Sequence, residues 1–91
     1  MSKKLRVAVI GTGRLGSLHA QKLAAFDDVQ LVAVVDPAPE QRDRLAAALG
    51  VRAAADHREV LSQIDAAVIA APTRLHHRLA IDCLAQGIHV F

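Results

Sequence analysis

At 91 residues, 53% of them apolar, the chain has the size of one domain and enough apolar side chains for a packed core, which excludes a disordered class. Eleven Lys and Arg against nine Asp and Glu give a formal charge of +2, and the basic residues are scattered among few aromatics, which argues against a nucleic-acid partner. The one cysteine, Cys83, cannot form an intrachain disulfide, and without a C-x-x-C or a ligand cluster it points to no metal site and to a reducing, cytoplasmic compartment.

The opening Met1-Ser2-Lys3-Lys4-Leu5-Arg6 is basic, but the apolar stretch behind it reaches only Ile10. It is too short for a signal sequence, and no stretch approaches a membrane span. Leu5, Val7, Ala8, Val9 and Ile10 are instead read as a buried first strand. Gly11-Thr12-Gly13-Arg14-Leu15-Gly16 follows, a G-x-G-x-x-G. Leu15, His19, Leu23 and Phe26 then recur at three- and four-residue spacing, which predicts a helix over about 15–26 with that stripe on the sheet and His19 as a structural histidine. Between a strand and a helix the three glycines have separate uses. Gly11 permits the turn, Gly13 a close backbone approach to a diphosphate, and Gly16 close packing of helix on strand. The first amides of the helix lack internal partners and sit at its positive end, where they suit an anion.

Asp27-Asp28 marks a turn, and 30–35 reads as a second buried strand ending at Asp36. This acid stands twenty residues beyond Gly16, where a dinucleotide fold hydrogen-bonds the adenosine ribose. It also suits a helix cap before Pro37, and the two roles are compatible. An acid here repels a 2'-phosphate and so favours NAD, with NADP left open by Arg42 and Arg44, which otherwise decorate a solvent-facing helix side. That helix begins at Pro39, buries Leu45, Ala48 and Leu49, and stops at Gly50. A short third strand over 51–54 follows, then Asp56 and Glu59 as a capping box on a short helix to about Gln63, with His57 pointing to solvent.

Residues 66–70 read as a fourth strand running into Ala71-Pro72-Thr73, where Thr73 caps a helix with Leu75, Leu79, Ala80, Cys83 and Leu84 on its apolar side. Gly87 ends it, and a fifth strand runs over 88–91. Alternating short strands and helices imply right-handed crossovers: an α/β, Rossmann-type doubly wound parallel sheet of about five strands, with its ligand over the carboxyl ends. Three loops meet there, after the first, second and fourth strands.

These residues resemble the N-terminal domain of the glucose-fructose oxidoreductase, inositol dehydrogenase and rhizopine-catabolism oxidoreductases. The resemblance covers nearly the full chain. It rests on residues 9–16 followed by His19-Ala20, on the strand ending at Asp36, on Ala71-Pro72-Thr73 with His76 and His77, and on the closing Gly87-Ile88-His89-Val90-Phe91. It implies hydride transfer between NAD(P) and a hydroxyl carbon of a sugar, cyclitol or nucleotide-sugar. Amides around Thr12, Gly13, Arg14 and Leu15 would hold the diphosphate and Asp36 the ribose. Ala71, Pro72, Thr73 and His76 would line the nicotinamide side, with His76 alternatively a helix-surface residue. No metal and no catalytic residue is expected within these residues.

The family follows its fifth strand with Glu-Lys-Pro, whose lysine helps bind substrate and move protons, and adds a substrate domain. Lys3, Lys4 and Lys22 lie away from the loop after the fifth strand. The expectation is therefore a cofactor-binding domain over 1–91, truncated before the second domain and inactive alone, with the sugar-like substrate bound only by a longer parent. The alternative is a non-catalytic nucleotide-binding module that pairs with a second copy through exposed apolar surface. An adenosylmethionine-dependent methyltransferase shares the glycine loop and the acid, but the x-x-G spacing and the 71–76 segment fit a dinucleotide better.

Overall fold

A computed structural model describes residues 4–91, so Lys3 lies outside the described residues. One five-stranded parallel sheet forms the centre, in the order β3-β2-β1-β4-β5. Its strands are β1 (Leu5–Ile10), β2 (Val29–Val35), β3 (Arg52–Ala54), β4 (Ala66–Ile69) and β5 (His89–Val90). The helices are α1 (Arg14–Ala24), α2 (Pro39–Leu49) and α3 (Thr73–Ala85), and two 3-10 turns, His57–Glu59 and Leu61–Gln63, stand where one short helix was expected. None of these helices is long and apolar enough to cross a membrane.

The strand order reverses at β1, and the core divides accordingly. Val9, Ala20, Leu31, Val34, Leu45 and Ala46 pack on the α1 and α2 side. Ala8, Ile10, Ala33, Val35, Leu79, Cys83 and Ile88 pack on the other, with Val60, Leu61 and Ile64 from the 3-10 segment. A bulge re-phases β2 between these layers: Val7 pairs with Leu31 but Ala8 with Ala33, so Val32 is an extra residue. It explains why Leu31 and Val34 share a face, which strict alternation would forbid.

The buried stripe of α1 is Gly16 and Ala20, not the expected Leu15-to-Phe26 stripe. Leu15 and Phe26 are exposed, while His19 and Leu23 are half-buried on the flank. The cause is proximity. A methyl on Gly16 would overlap the Gly11 carbonyl oxygen, so the helix lies too close to the sheet for anything larger. In α2 the buried pair is Leu45 and Ala46, with Leu49 half-buried and Ala48 exposed. In α3 only Leu79 and Cys83, one turn apart, are buried, and Leu75 and Leu84 are exposed. Thr73 does not cap α3. Pro72 holds that position, and its carbonyl accepts from the Leu75 N–H at 2.9 Å.

His57 also departs from expectation. Its side chain is only 12% exposed, and Nε2 lies 2.8 Å from Asp82 Oδ2 on α3. The 3-10 segment packs against α3 and turns this ring inward, so it ties the two together.

Candidate functional site

The carboxyl ends of the strands are laced together by backbone hydrogen bonds that continue past the sheet. Gly11 N–H donates to the Val35 carbonyl at 2.7 Å, Asp36 N–H to Ala54 at 3.0 Å and Ala70 N–H to Ile10 at 2.8 Å. The loops after β1, β2, β3 and β4 are thereby held beside one another. They frame a cleft of about 850 Å³ lined by Gly11, Gly13, Arg14, Leu15, Asp36, Ala71, Pro72 and Thr73 among others. A smaller hollow of about 660 Å³ at the opposite end of the sheet is lined by Lys4, Leu5, Arg6, Gln30 and Asp65, away from any helix start.

In the glycine loop, two glycines answer to the protein itself. Gly11 has φ +106° and no room for a side chain, since a Cβ would lie 2.7 Å from the Ala70 carbonyl carbon. Gly16 is excluded by Gly11, as above. Gly13 is different. Its φ is −67° and a Cβ there meets nothing within 4 Å, so neither conformation nor internal packing requires glycine. It sits at the N-cap of α1, on the cleft, without side-chain capping.

Thr12 faces inward and is 2% exposed. Its N–H and its hydroxyl both donate to Asp36 Oδ2, at 2.8 and 3.0 Å, and its carbonyl accepts from the Ser17 hydroxyl at 3.0 Å. Ala38 N–H donates to Asp36 Oδ1 at 2.8 Å. Asp36 therefore supports the start of α2 while leaving part of its acceptor capacity open to the cleft. Burial pushes its pKa up, but the Ala38 and Thr12 donors, with nearby Arg42, outweigh that and hold the carboxyl below its usual range. Arg42 was expected on a solvent-facing side. Instead it is largely buried, donates to the Asp36 carbonyl at 3.2 Å and pairs with Asp43.

On the far wall, His76 is exposed and does not line the cleft. Its Nε2 lies 2.6 Å from the Ala71 carbonyl, and since a carbonyl only accepts, Nε2 carries the proton. His76 thus braces the wall from behind. Of the residues expected from sequence, Thr12, Gly16 and His76 act on the cleft through Asp36, Gly11 and Ala71, and the others line it directly. The sequence reading missed Pro37, Gln41, Ala55, Asp56, His57, Arg74, Leu75 and Arg78. The loop after β3 could have been foreseen, because a parallel strand delivers its carboxyl end to the same edge as its neighbours.

Asp56 lies on that fourth loop. It accepts from Arg58 N–H at 2.8 Å while Glu59 accepts from Asp56 N–H at 3.1 Å, the reciprocal capping pattern expected. The Arg58 side-chain bonds, then its N–H, hold the Asp56 carboxyl well below the usual range. Among the described residues no group of three His, Cys, Asp or Glu could hold a metal ion.

Comparison with known proteins agrees with this geometry. Residues 5–91 match the family described as "Oxidoreductase family, NAD-binding Rossmann fold". A myo-inositol 2-dehydrogenase of Thermotoga maritima is 34% identical over 96% of this chain and 27% of its own length. A UDP-N-acetylglucosamine 3-dehydrogenase of Acidithiobacillus ferrooxidans is 39% identical over 93% of this chain and 26% of its own. The crystal structure of a Lactobacillus casei scyllo-inositol dehydrogenase with bound NAD(H) and scyllo-inositol superposes with a TM-score of 0.91 at 30% identity. It covers 98% of this chain and 27% of that one. The chain spans about a quarter of the length of these relatives.

Proposed function

The chain belongs to the glucose-fructose oxidoreductase, inositol dehydrogenase and rhizopine-catabolism family through its NAD-binding Rossmann domain, and from that premise we propose that it serves as the cofactor half of a cytoplasmic oxidoreductase. Such an enzyme moves a hydride between the nicotinamide of NAD and a hydroxyl carbon of a sugar, cyclitol or nucleotide-sugar. Residues 1–91 form the dinucleotide-binding domain and do not turn over substrate alone.

The observation that carries this reading is Gly13, a glycine required by nothing inside the protein and standing on the cleft at the start of α1. Space kept open there suits a diphosphate drawn close to the first amides of α1, and the tethered Asp36 suits the ribose hydroxyls. Ala71, Pro72 and Thr73 form the nicotinamide side. The test is a fluorescence titration of the chain with NADH and NADPH. Tighter binding of NADH is expected, and Asp36→Ala should weaken it by about 1–3 kcal/mol, the range for a lost charge-assisted hydrogen bond. Equal affinity for both cofactors would overturn the assignment of Asp36.

The second reading, a self-associating nucleotide-binding module, is favoured by Leu15 and Leu18 on α1 and Phe26 just beyond its end, which are 60%, 48% and 60% exposed. Sedimentation showing only monomer would remove it.

A further inference from the structure

The arginines of this chain fall into two groups. Arg6, Arg42, Arg52 and Arg58 are ion-paired with Asp65, Asp43, Glu59 and Asp56. Arg14, Arg44, Arg74 and Arg78 have no ion pair among the described residues, and all of these but Arg44 line the cleft. The two acids there, Asp36 and Asp56, already hold donors from Thr12, Ala38 and Arg58.

Arg74 and Arg78 are the more telling pair. They stand one turn apart on α3, so each disfavours the other, and Arg74 lies in the first turn, where the helix macrodipole disfavours a cation. No acid occupies that turn, whereas α2 carries Glu40 in its own. Like-charge repulsion, an unfavourable dipole and the engagement of the helix's one acid, Asp82, by His57 at 2.8 Å coincide at one place on the cleft wall. Conflicts of this kind concentrate at functional sites, and here an anion resolves the repulsion and the dipole together. The dinucleotide diphosphate does not account for them, because the loop amides and Arg14 on the α1 side already suit it.

We propose that Arg74 and Arg78 form a second anion site in this cleft, for a phosphate ester or diphosphate carried by the polyol substrate beside the dinucleotide. The inference rests on the dinucleotide reading above and deepens it: the substrate class is a phosphorylated or nucleotide-linked sugar in preference to a neutral cyclitol. Guanidinium groups present paired donors to phosphate oxygens, which suits this role better than lysine.

The test is NMR of the labelled chain saturated with NADH, following the Nε–H signals of Arg74 and Arg78 on titration with glucose 6-phosphate, glucose, or sodium chloride at matched ionic strength. Saturable shifts with glucose 6-phosphate alone are expected. The double variant Arg74→Gln with Arg78→Gln, folded by its amide spectrum, should weaken the phosphate ester about tenfold or more. The double variant Lys22→Gln with Arg44→Gln, an equal loss of charge outside the cleft, should leave it unchanged. Shifts that salt reproduces, shifts with glucose of the same size, or signals already saturated by NADH would each overturn the proposal. Absence of NADH binding would overturn the dinucleotide reading instead, and the same titration without cofactor would still judge the arginine pair.

Discussion

The backbone N–H and the hydroxyl of Thr12 converge on a single oxygen of Asp36, at 2.8 and 3.0 Å, across 24 residues of chain. The glycine loop and the end of β2 are thereby set against each other before any ligand arrives. Thr12→Val keeps the shape and the N–H but deletes one donor to an ionised acceptor. A loss of about 1–2 kcal/mol in urea unfolding is expected, with weaker NADH binding as Asp36 loosens. Unchanged stability would show that the N–H alone holds the carboxylate.

The glycines should separate by function when each becomes alanine. Gly16→Ala drives a methyl into the Gly11 carbonyl, and relief requires α1 to move off the sheet, so severe destabilisation or failure to fold is expected. Gly13→Ala meets open space and should fold with a stability change of a few tenths of a kcal/mol while NADH affinity falls about tenfold or more. Circular dichroism melts and NADH titrations on the two variants check the contrast.

Acid should act through Asp36 and Asp56. Both carboxyls are held below their usual range in the folded protein, so each favours folding above the unfolded value of about 3.9, and that contribution is lost as pH falls through the folded value. Urea midpoints should decline below about pH 4, and the decline should be shallower in Asp36→Asn. An identical slope in that variant would remove Asp36 from the account.

A solvated His57 would tolerate replacement. The contact with Asp82 at 2.8 Å requires otherwise. His57→Ala and Asp82→Ala should each cost about 1–2 kcal/mol by urea unfolding, and the double variant should cost less than their sum because one interaction is lost twice.

Much of this was readable in the chain, and the misreadings share a cause. Strands, order of elements, helix stops at Gly50 and Gly87, and the place of Asp36 followed from apolar runs and turn residues, which are local signals. The faces of the helices did not. Apolar spacing selected Leu15 and Phe26 for burial, but the approach of Gly16 to Gly11 reserves that face for residues no larger than Ala20. The sequence pattern reports where large apolar residues recur and carries no measure of how close two backbones come. His57 failed in the same way. Its partner Asp82 lies 25 residues away, and nothing near His57 announces it.

The extra residue at Val32 changes how the spacing between Gly16 and Asp36 should be understood. What matters at Asp36 is rotational phase, because side chains along a strand alternate between faces and a slip of one residue reverses them. The count of twenty residues is only a proxy for that phase, and here one of the twenty is absorbed by a kink in mid-strand. Loops before β2 can therefore lengthen or shorten without turning the acid away. Deleting Val32 itself would take out the kink and the extra residue together, so Leu31 and Val34 would share a face by plain alternation and the acid would keep its phase.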